Sequence, residues 1–477
     1  MTRVLCVVFD ALRPEFVRPE LMPRLSEFRD SGVHYKEYRS TFPTETRVNQ
    51  SALTTGCLAR RHGVVGNVFI APDLGSQRLI NTGDDDQLEK ALAAGPLLAV
   101  PNLAERLVRA GRSFASLSAG TPGGGRLINH SAEAIGSTRF AMRAPQASVP
   151  SSLHAELVAI AGPIPDPEAA SQEWIEWAVR AYLEGIESEV RPDVGLLWLC
   201  EPDECFHWKE IGGPDTVRIL ASLDVCFGRI LDSFHAELQS GGMHIIALSD
   251  HGQLSLDGPR LRVTEKLGEA GWTANRSGLE NGDDLAVVLG TGGGIWVRDR
   301  HPALVEEVTN WLLEQDWCGP VFNRDGLAGA LPSSSIGIDH SRAPDIALSL
   351  STSASKNAHG IVGVGRHDAP YPAGGGCHGG LSPWELGNFL AMGGAQFKRS
   401  TTLSVPAGNA DILPTLLALM GLPEAMDIDG RRLLEAFDEE PLSGTETAGV
   451  RSIQARGGTV EWREFRGRRY LDRAYRR

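Results

Sequence analysis

Seven residues of this chain have the types and spacing to do chemistry together: Asp10, Thr44, Asp203, His207, Asp250, His251 and His378. Three apolar runs (residues 4–9, 194–200 and 243–248) lead directly to Asp10, to Glu201-Pro202-Asp203 and to Ser249-Asp250-His251-Gly252. Two of these carboxylates come with histidines, as Asp203-x-x-x-His207 and as the adjacent pair Asp250-His251, and His378 lies in Gly-Gly-Gly-Cys-His-Gly-Gly. Carboxylate and imidazole together suit zinc or a similar divalent ion. One such pair would read as ordinary structure. Six ligand-type groups at successive strand ends supply about three ligands to each of two ions, the arrangement of in-line phosphoryl displacement.

Thr44 supplies the group to be activated. Pro43 holds the residue before it extended, and residues 45–55 read as a short helix closed by Gly56. Thr44 then sits at or beside the helix N-cap, where unpaired N–H groups and the helix dipole favour an attacking alkoxide and a phosphate. Alone, Thr44 reads as a helix cap. Beside the ligand set it reads as a nucleophile.

The elements that must position these groups alternate strand with helix. Residues 4–9, 114–118, 194–200 and 243–248 have the continuous apolar character of strands buried on both faces, and open sheets of this kind place their sites at strand C-termini. Residues 23–30, 101–110, 168–189, 215–238 and 409–421 read as helices, residues 119–150 as a rim loop. The pattern predicts an α/β fold: a doubly wound, mostly parallel sheet with helices on both faces. Residues 253–340 change character and are expected to form a small inserted α+β cap. The main sheet should resume at 345–350, giving a catalytic core of 1–252 and 341–440. Residues 441–477 form an Arg-rich tail, nine Arg against three acids from residue 451 onward, expected to be solvated or an edge hairpin in subunit contacts.

A net charge of −14 gives no long-range attraction for a nucleic-acid polymer, so positive charge at a phosphate site has to be local. No window carries the ~18 apolar residues of a membrane span. Residues 1–3 lead straight into a strand and not a signal peptide, and seven cysteines without framework spacing fit a reducing compartment, so the expected location is cytoplasmic.

The ordered set resembles the alkaline phosphatase superfamily and, within it, the nucleotide pyrophosphatase/phosphodiesterase branch. The resemblance rests on Asp10 in Phe-Asp-Ala-Leu-Arg-Pro, Thr44 in Thr-Phe-Pro-Thr, Leu-Thr-Thr-Gly followed by His-Gly-Val-Val-Gly-Asn67, Glu-Pro-Asp203 with His207, Ser-Asp250-His251-Gly, and His378-Gly-Gly. It implies one ion on Asp203, His207 and His378. A second would be held by Asp10, Asp250 and His251, with Thr44 as its nucleophilic ligand and Asn67 contacting a phosphoryl oxygen. The implied ions are two Zn2+, with Mn2+ as the alternative, and the implied course runs through a phosphoryl-threonine. The substrate would be a small phosphate- or phosphonate-containing molecule, and a homo-oligomer is open.

Departures from the family pattern alter the walls of the site. Ala11 stands for a frequent Gly, Phe206 precedes the His where Gly is usual, and Glu45 follows Thr44. The expected activity is hydrolysis of phosphodiester or nucleotide pyrophosphate bonds. A phosphonoacetate-type C–P hydrolase is the near rival, and a non-catalytic metal-binding protein the alternative of another class. A phosphomonoesterase is disfavoured because the motif loops show no clear Arg for a dianionic ester. Cys57-Leu-Ala-Arg-Arg61 imitates a sulfatase signature, but Cys57 lies past the helix. Cys205 and Cys377 read as neighbours of ligands and not as ligands.

Overall fold

The computed structural model describes residues 2–166, 171–439 and 448–476. Its main sheet has eight strands, ordered Thr401–Leu403, Val33–Tyr35, Leu390–Gly393, Met243–Leu248, Arg3–Phe9, Val194–Leu199, Phe114–Ser118, Thr138–Ala141. The five strands from Met243–Leu248 to Thr138–Ala141 run parallel, whereas Leu390–Gly393 is antiparallel to Met243–Leu248.

The period-two geometry of a strand explains why the central runs are apolar throughout. Leu5, Val7 and Phe9 face one core together with the helices Gln172–Arg180 and Pro214–Ser233. Val4, Cys6 and Val8 face the other, with Leu53, Leu107 and Leu416 from helices on the opposite side. The fold is therefore the expected α/β sheet with helices on both faces. Register then brings the chemistry together: Phe9 pairs with Leu199 and Val8 with Leu248, so three strands end at one level. Asp10 N–H donates to Leu199 O and Asp203 N–H to Asp10 O, each at 3.1 Å.

Several expected boundaries shift. The strand Ile346–Leu350, expected to resume the main sheet, lies inside a second, six-stranded sheet with Leu285–Leu289, Gly292–Val297 and Cys318–Asn323. A buried apolar run does not say which sheet it joins, and this one packs with Val308 and Leu312 in a separate core. The main sheet is rejoined only at Leu390–Gly393. The expected loop 119–150 holds the helices Pro122–Ile128 and Ala132–Ile135 and the edge strand Thr138–Ala141. Its glycines are packing devices: a Cβ on Gly123 would lie 2.2 Å from Thr82 O, and one on Gly125 2.6 Å from Ala141 Cβ. The helix expected to be capped by Asp215 has Gly213 as N-cap and ends at Ser233, and His235–Ser240 follows as a separate helix. Of the helix expected over 168–189, residues 168–170 lie outside the described residues, and Gln172–Arg180 continues as a π-helical stretch, Ala181–Val190.

Residues 441–447 and 477 of the tail also lie outside the described residues. The remainder is a three-stranded antiparallel sheet, Gly449–Ala455, Gly458–Phe465 and Arg468–Tyr475, folded onto its own chain. Val460, Trp462 and Ala474 pack with Phe322 and Leu381, and Arg463 and Arg473 pair with Asp472 and Glu461.

Candidate active site

At the strand ends, Asp203 opens the helix Asp203–Trp208, so His207 falls on the same face one turn later. Asp203 Oδ2 lies 3.3 Å from His207 Nε2, and Asp203 Oδ1 3.5 Å from His378 Nε2. His378 arrives from the strand Gly376–Cys377, which pairs antiparallel with Leu254–Leu256 just beyond His251. His251 Nε2 is 3.5 Å from Asp10 Oδ1 and 3.3 Å from Asp250 Oδ2. Ligand atoms of Asp203, His207 and His378 lie within 4.8 Å of one another, as do those of Asp10, Asp203 and His251. All six predicted ligand residues thus meet. Asp203 reaches both groups, while Asp250 adjoins the second through His251.

The hydrogen bonds set the imidazole tautomers. His207 donates from Nδ1 to Gly376 O (3.0 Å), His378 to Thr44 O (2.8 Å) and His251 to Gly252 O (3.2 Å). A carbonyl only accepts, so each Nε2 keeps a lone pair aimed at the carboxylates, the arrangement of a metal ligand oriented from behind. Asp10 Oδ2 takes Trp198 Nε1–H at 2.9 Å and Asp250 Oδ1 takes Ala11 N–H at 3.1 Å. Their other oxygens, Asp10 Oδ1 and Asp250 Oδ2, are buried without a hydrogen-bond partner among the described residues. Burial and the charges of Asp250 and Asp203 hold the Asp10 carboxyl well above the usual range. Burial works to raise Asp203 too, but His207, His378 and His251, when protonated, outweigh it and hold it low. Orphaned oxygens, clustered like charges and lone pairs facing inward make a donor set that fits divalent cations.

Thr44 differs from expectation in its surroundings. Thr44 is fully buried; its Oγ1 donates to Gly380 O and accepts Gly379 N–H, each at 2.9 Å. Its hydroxyl is consumed by the loop that carries His378. The N-cap is Glu45, and Thr46 is the first residue of the helix Thr46–Thr55, with its Oγ1 3.2 Å from His251 Nε2. The helix starts one residue later than expected, so Glu45 and not Thr44 takes the N-cap and Thr46 opens the first turn.

Asn67 sits at the same helix N-terminus. Its Oδ1 accepts Arg47 N–H at 3.0 Å, and its own N–H donates to the buried Glu45 carboxylate. Asn49 anchors the loop from behind: its Oδ1 accepts Thr41 N–H and an Asn409 amide proton, and its Nδ2 donates to Glu45 O. The reading from residue types missed Thr46, Asn49 and Trp198. The spacing Thr46-x-x-Asn49 in the first turn of the helix was the available signal for the first two. Cys57 donates its thiol to Thr55 O and Asp427 O away from the site, and Cys205 and Cys377 belong to neither ligand group.

A sheet of this topology with carboxylates, imidazoles and a helix N-terminus at its strand ends defines an alkaline-phosphatase-like hydrolase fold. Residues 4–346 match the family described as type I phosphodiesterase / nucleotide pyrophosphatase, and the chain belongs to that family. Human ectonucleotide pyrophosphatase / phosphodiesterase 5 superimposes with a TM-score of 0.63 at 18% identity, covering 92% of this chain and 100% of that one. An inactive threonine-to-alanine variant of the murine protein, in complex with AMP, superimposes with a TM-score of 0.61 at 16% identity, covering 89% and 96%. Venom phosphodiesterase of Naja atra is 23% identical over 257 residues, 53% of this chain and 26% of the venom protein. Bis(5'-adenosyl)-triphosphatase enpp4 of Xenopus laevis is 35% identical over 65 residues, 14% of either chain. The chain therefore spans about a quarter or less of these curated relatives' length.

Proposed function

We propose that this protein is a two-metal hydrolase of phosphodiester or nucleotide pyrophosphate bonds, acting through a phosphoryl-threonine formed on Thr46 and not on Thr44. The carrying observation is the Thr46 hydroxyl, 3.2 Å from His251 Nε2 at the first position of a helix, beside the convergent carboxylates and imidazoles. Asp203, His207 and His378 would hold one ion, and Asp10, Asp250 and His251 the other, most suitably Zn2+. Bound there, the ions supply Lewis acidity and neutralise phosphoryl charge.

The remaining steps belong to the chain. The helix N-terminus favours negative charge on Thr46 Oγ1, which bonds to phosphorus as the bond to the leaving oxygen breaks. With its Oδ1 held by Arg47 N–H, Asn67 keeps its Nδ2 protons for a phosphoryl oxygen. Water then cleaves the phosphothreonine and releases Thr46. The murine relative's complex with AMP supports a small nucleotide substrate. Seven buried free thiols support a cytoplasmic location, and among the described residues no helix is long and apolar enough to cross a membrane. The phosphonate reading would use the same groups.

The test is a rate comparison on zinc-loaded protein with bis-p-nitrophenyl phosphate, a p-nitrophenyl nucleotide diester and phosphonoacetate, for wild type, Thr46→Ala and Thr44→Ala. Thr46→Ala is expected to lose roughly 10³-fold or more, and mass spectrometry of quenched wild type should find the phosphate on Thr46. Full activity of Thr46→Ala, or activity persisting through exhaustive EDTA treatment, would sink the reading. Phosphonoacetate turnover with weak diester cleavage would move the protein to C–P chemistry.

A further inference from the structure

Arg47 follows Thr46 directly and is the cation the motif loops had not revealed. Its backbone N–H is bound by Asn67 Oδ1, which ties Arg47 to the residue expected to contact a phosphoryl oxygen. The side chain is partly buried, and burial lowers its pKa from the ordinary arginine value, with the charges of Glu45, Asp10 and Asp203 offsetting part of that. An arginine present only to balance those acids would hydrogen-bond one of them. This one forms no ion pair within 4.0 Å among the described residues. Its Nη1 reaches only the Thr121 hydroxyl, at 3.5 Å, and its Nε is buried without a partner. Gly83 and Gly124 line its side chain: a Cβ on Gly83 would lie 3.5 Å from Arg47 Nη2, and one on Gly124 3.6 Å from Cδ, both ordinary contact distances. A guanidinium with an unpartnered buried Nε, on the residue next to the proposed nucleophile, is a fork available to an anionic acceptor.

We infer that Arg47 is a substrate-selecting residue, seating a negative charge that the substrate carries next to the transferred phosphorus beyond the single charge of a simple diester. This deepens the hydrolase reading and rests on it. The shared chemistry is a second anionic oxygen group close to the scissile bond. A terminal phosphoryl dianion, the second phosphate of a pyrophosphate, or the carboxylate of a phosphonocarboxylate would each provide it. The phosphomonoester class, disfavoured for want of an arginine, returns on this evidence.

The experiment compares zinc-loaded wild type, Arg47→Met and Arg47→Lys on p-nitrophenyl phosphate, ADP, phosphonoacetate and bis-p-nitrophenyl phosphate, with calorimetric binding of inorganic phosphate as a readout independent of turnover. Arg47→Met is expected to lower kcat/KM for the favoured charge-rich substrate by roughly 10²-fold more than for the diester, with Arg47→Lys recovering part of it. Which substrate suffers most identifies the source of the second charge. Phosphate binding should weaken about tenfold or more in Arg47→Met. Equal losses on all substrates, or phosphate affinity unchanged, would overturn the assignment. Failure of the hydrolase reading looks different: no substrate is cleaved, or Thr46→Ala is indifferent, while the phosphate titration still reports on Arg47.

Discussion

His378 donates its Nδ1–H to the backbone carbonyl of Thr44 at 2.8 Å, and the next residue, Gly379, donates its N–H to the Thr44 hydroxyl at 2.9 Å. The loop with a candidate metal ligand is thereby stapled to the loop that opens the helix of Thr46, across 334 residues of sequence. Thr44 acts on His378 through its main chain and on the glycine loop through its side chain.

Thr44→Val separates these two roles. Valine keeps the shape and the carbonyl but leaves Gly379 N–H and Gly380 O unpaired in a buried place, a cost of about 1–3 kcal/mol. The expected result is a matching loss of stability by urea denaturation, with kcat/KM down by about tenfold at most. A loss as large as that of Thr46→Ala would return the nucleophile to Thr44.

Trp198 orients Asp10. Its Nε1–H holds Asp10 Oδ2 at 2.9 Å and leaves Oδ1 facing His251. Trp198→Phe removes that donor from the neighbouring strand. Zinc affinity, measured by titration against a competing chelator, should fall roughly 10–100-fold, with kcat at saturating zinc much less affected. Unchanged affinity would show that Asp10 needs no such support.

The three strand-end carboxylates and their histidines were legible because parallel strands buried on both faces leave no ambiguity about where polar chemistry is delivered. The start of the helix was not. Pro43 fixes only the residue before it, and the helix start depends on Glu45 taking Asn67 N–H, a contact between residues 22 apart in sequence. The cap boundary failed for a related reason: residues 346–350 are as apolar as any main-sheet strand, and their partners Gly292–Val297 and Cys318–Asn323 are chosen by tertiary contacts. The tail's arginines suggested a solvated segment or an edge hairpin in subunit contacts, while Val460, Trp462 and Ala474 bury its inner face against the chain's own core.

Ala11 occupies a left-handed conformation, φ 60°, which places its N–H 3.1 Å from Asp250 Oδ1. A Cβ is strained there, and glycine is not. Ala11→Gly is expected to stabilise the protein by about 1 kcal/mol with the site unchanged, seen as a raised Tm. A lowered Tm would mean that the methyl's packing outweighs the strain.

His62 gives a pH dependence of known sign. It is fully buried, its Nδ1 accepts Val64 N–H at 3.1 Å, and burial pushes its pKa down to about 3. Protonation would remove that acceptor and place a charge in the interior. In the unfolded chain the imidazole titrates near its ordinary 6.5. Between pH 6.5 and about 3 the unfolded state therefore binds the extra proton, and stability falls as the pH falls through that window. At pH 4.5 the contribution amounts to roughly 2–3 kcal/mol relative to pH 8. His62→Asn preserves an acceptor without a titrating group. Its urea stability should decline less than that of wild type between pH 8 and pH 4.5, by that difference. Parallel declines in the two proteins would show that His62 charges as readily folded as unfolded.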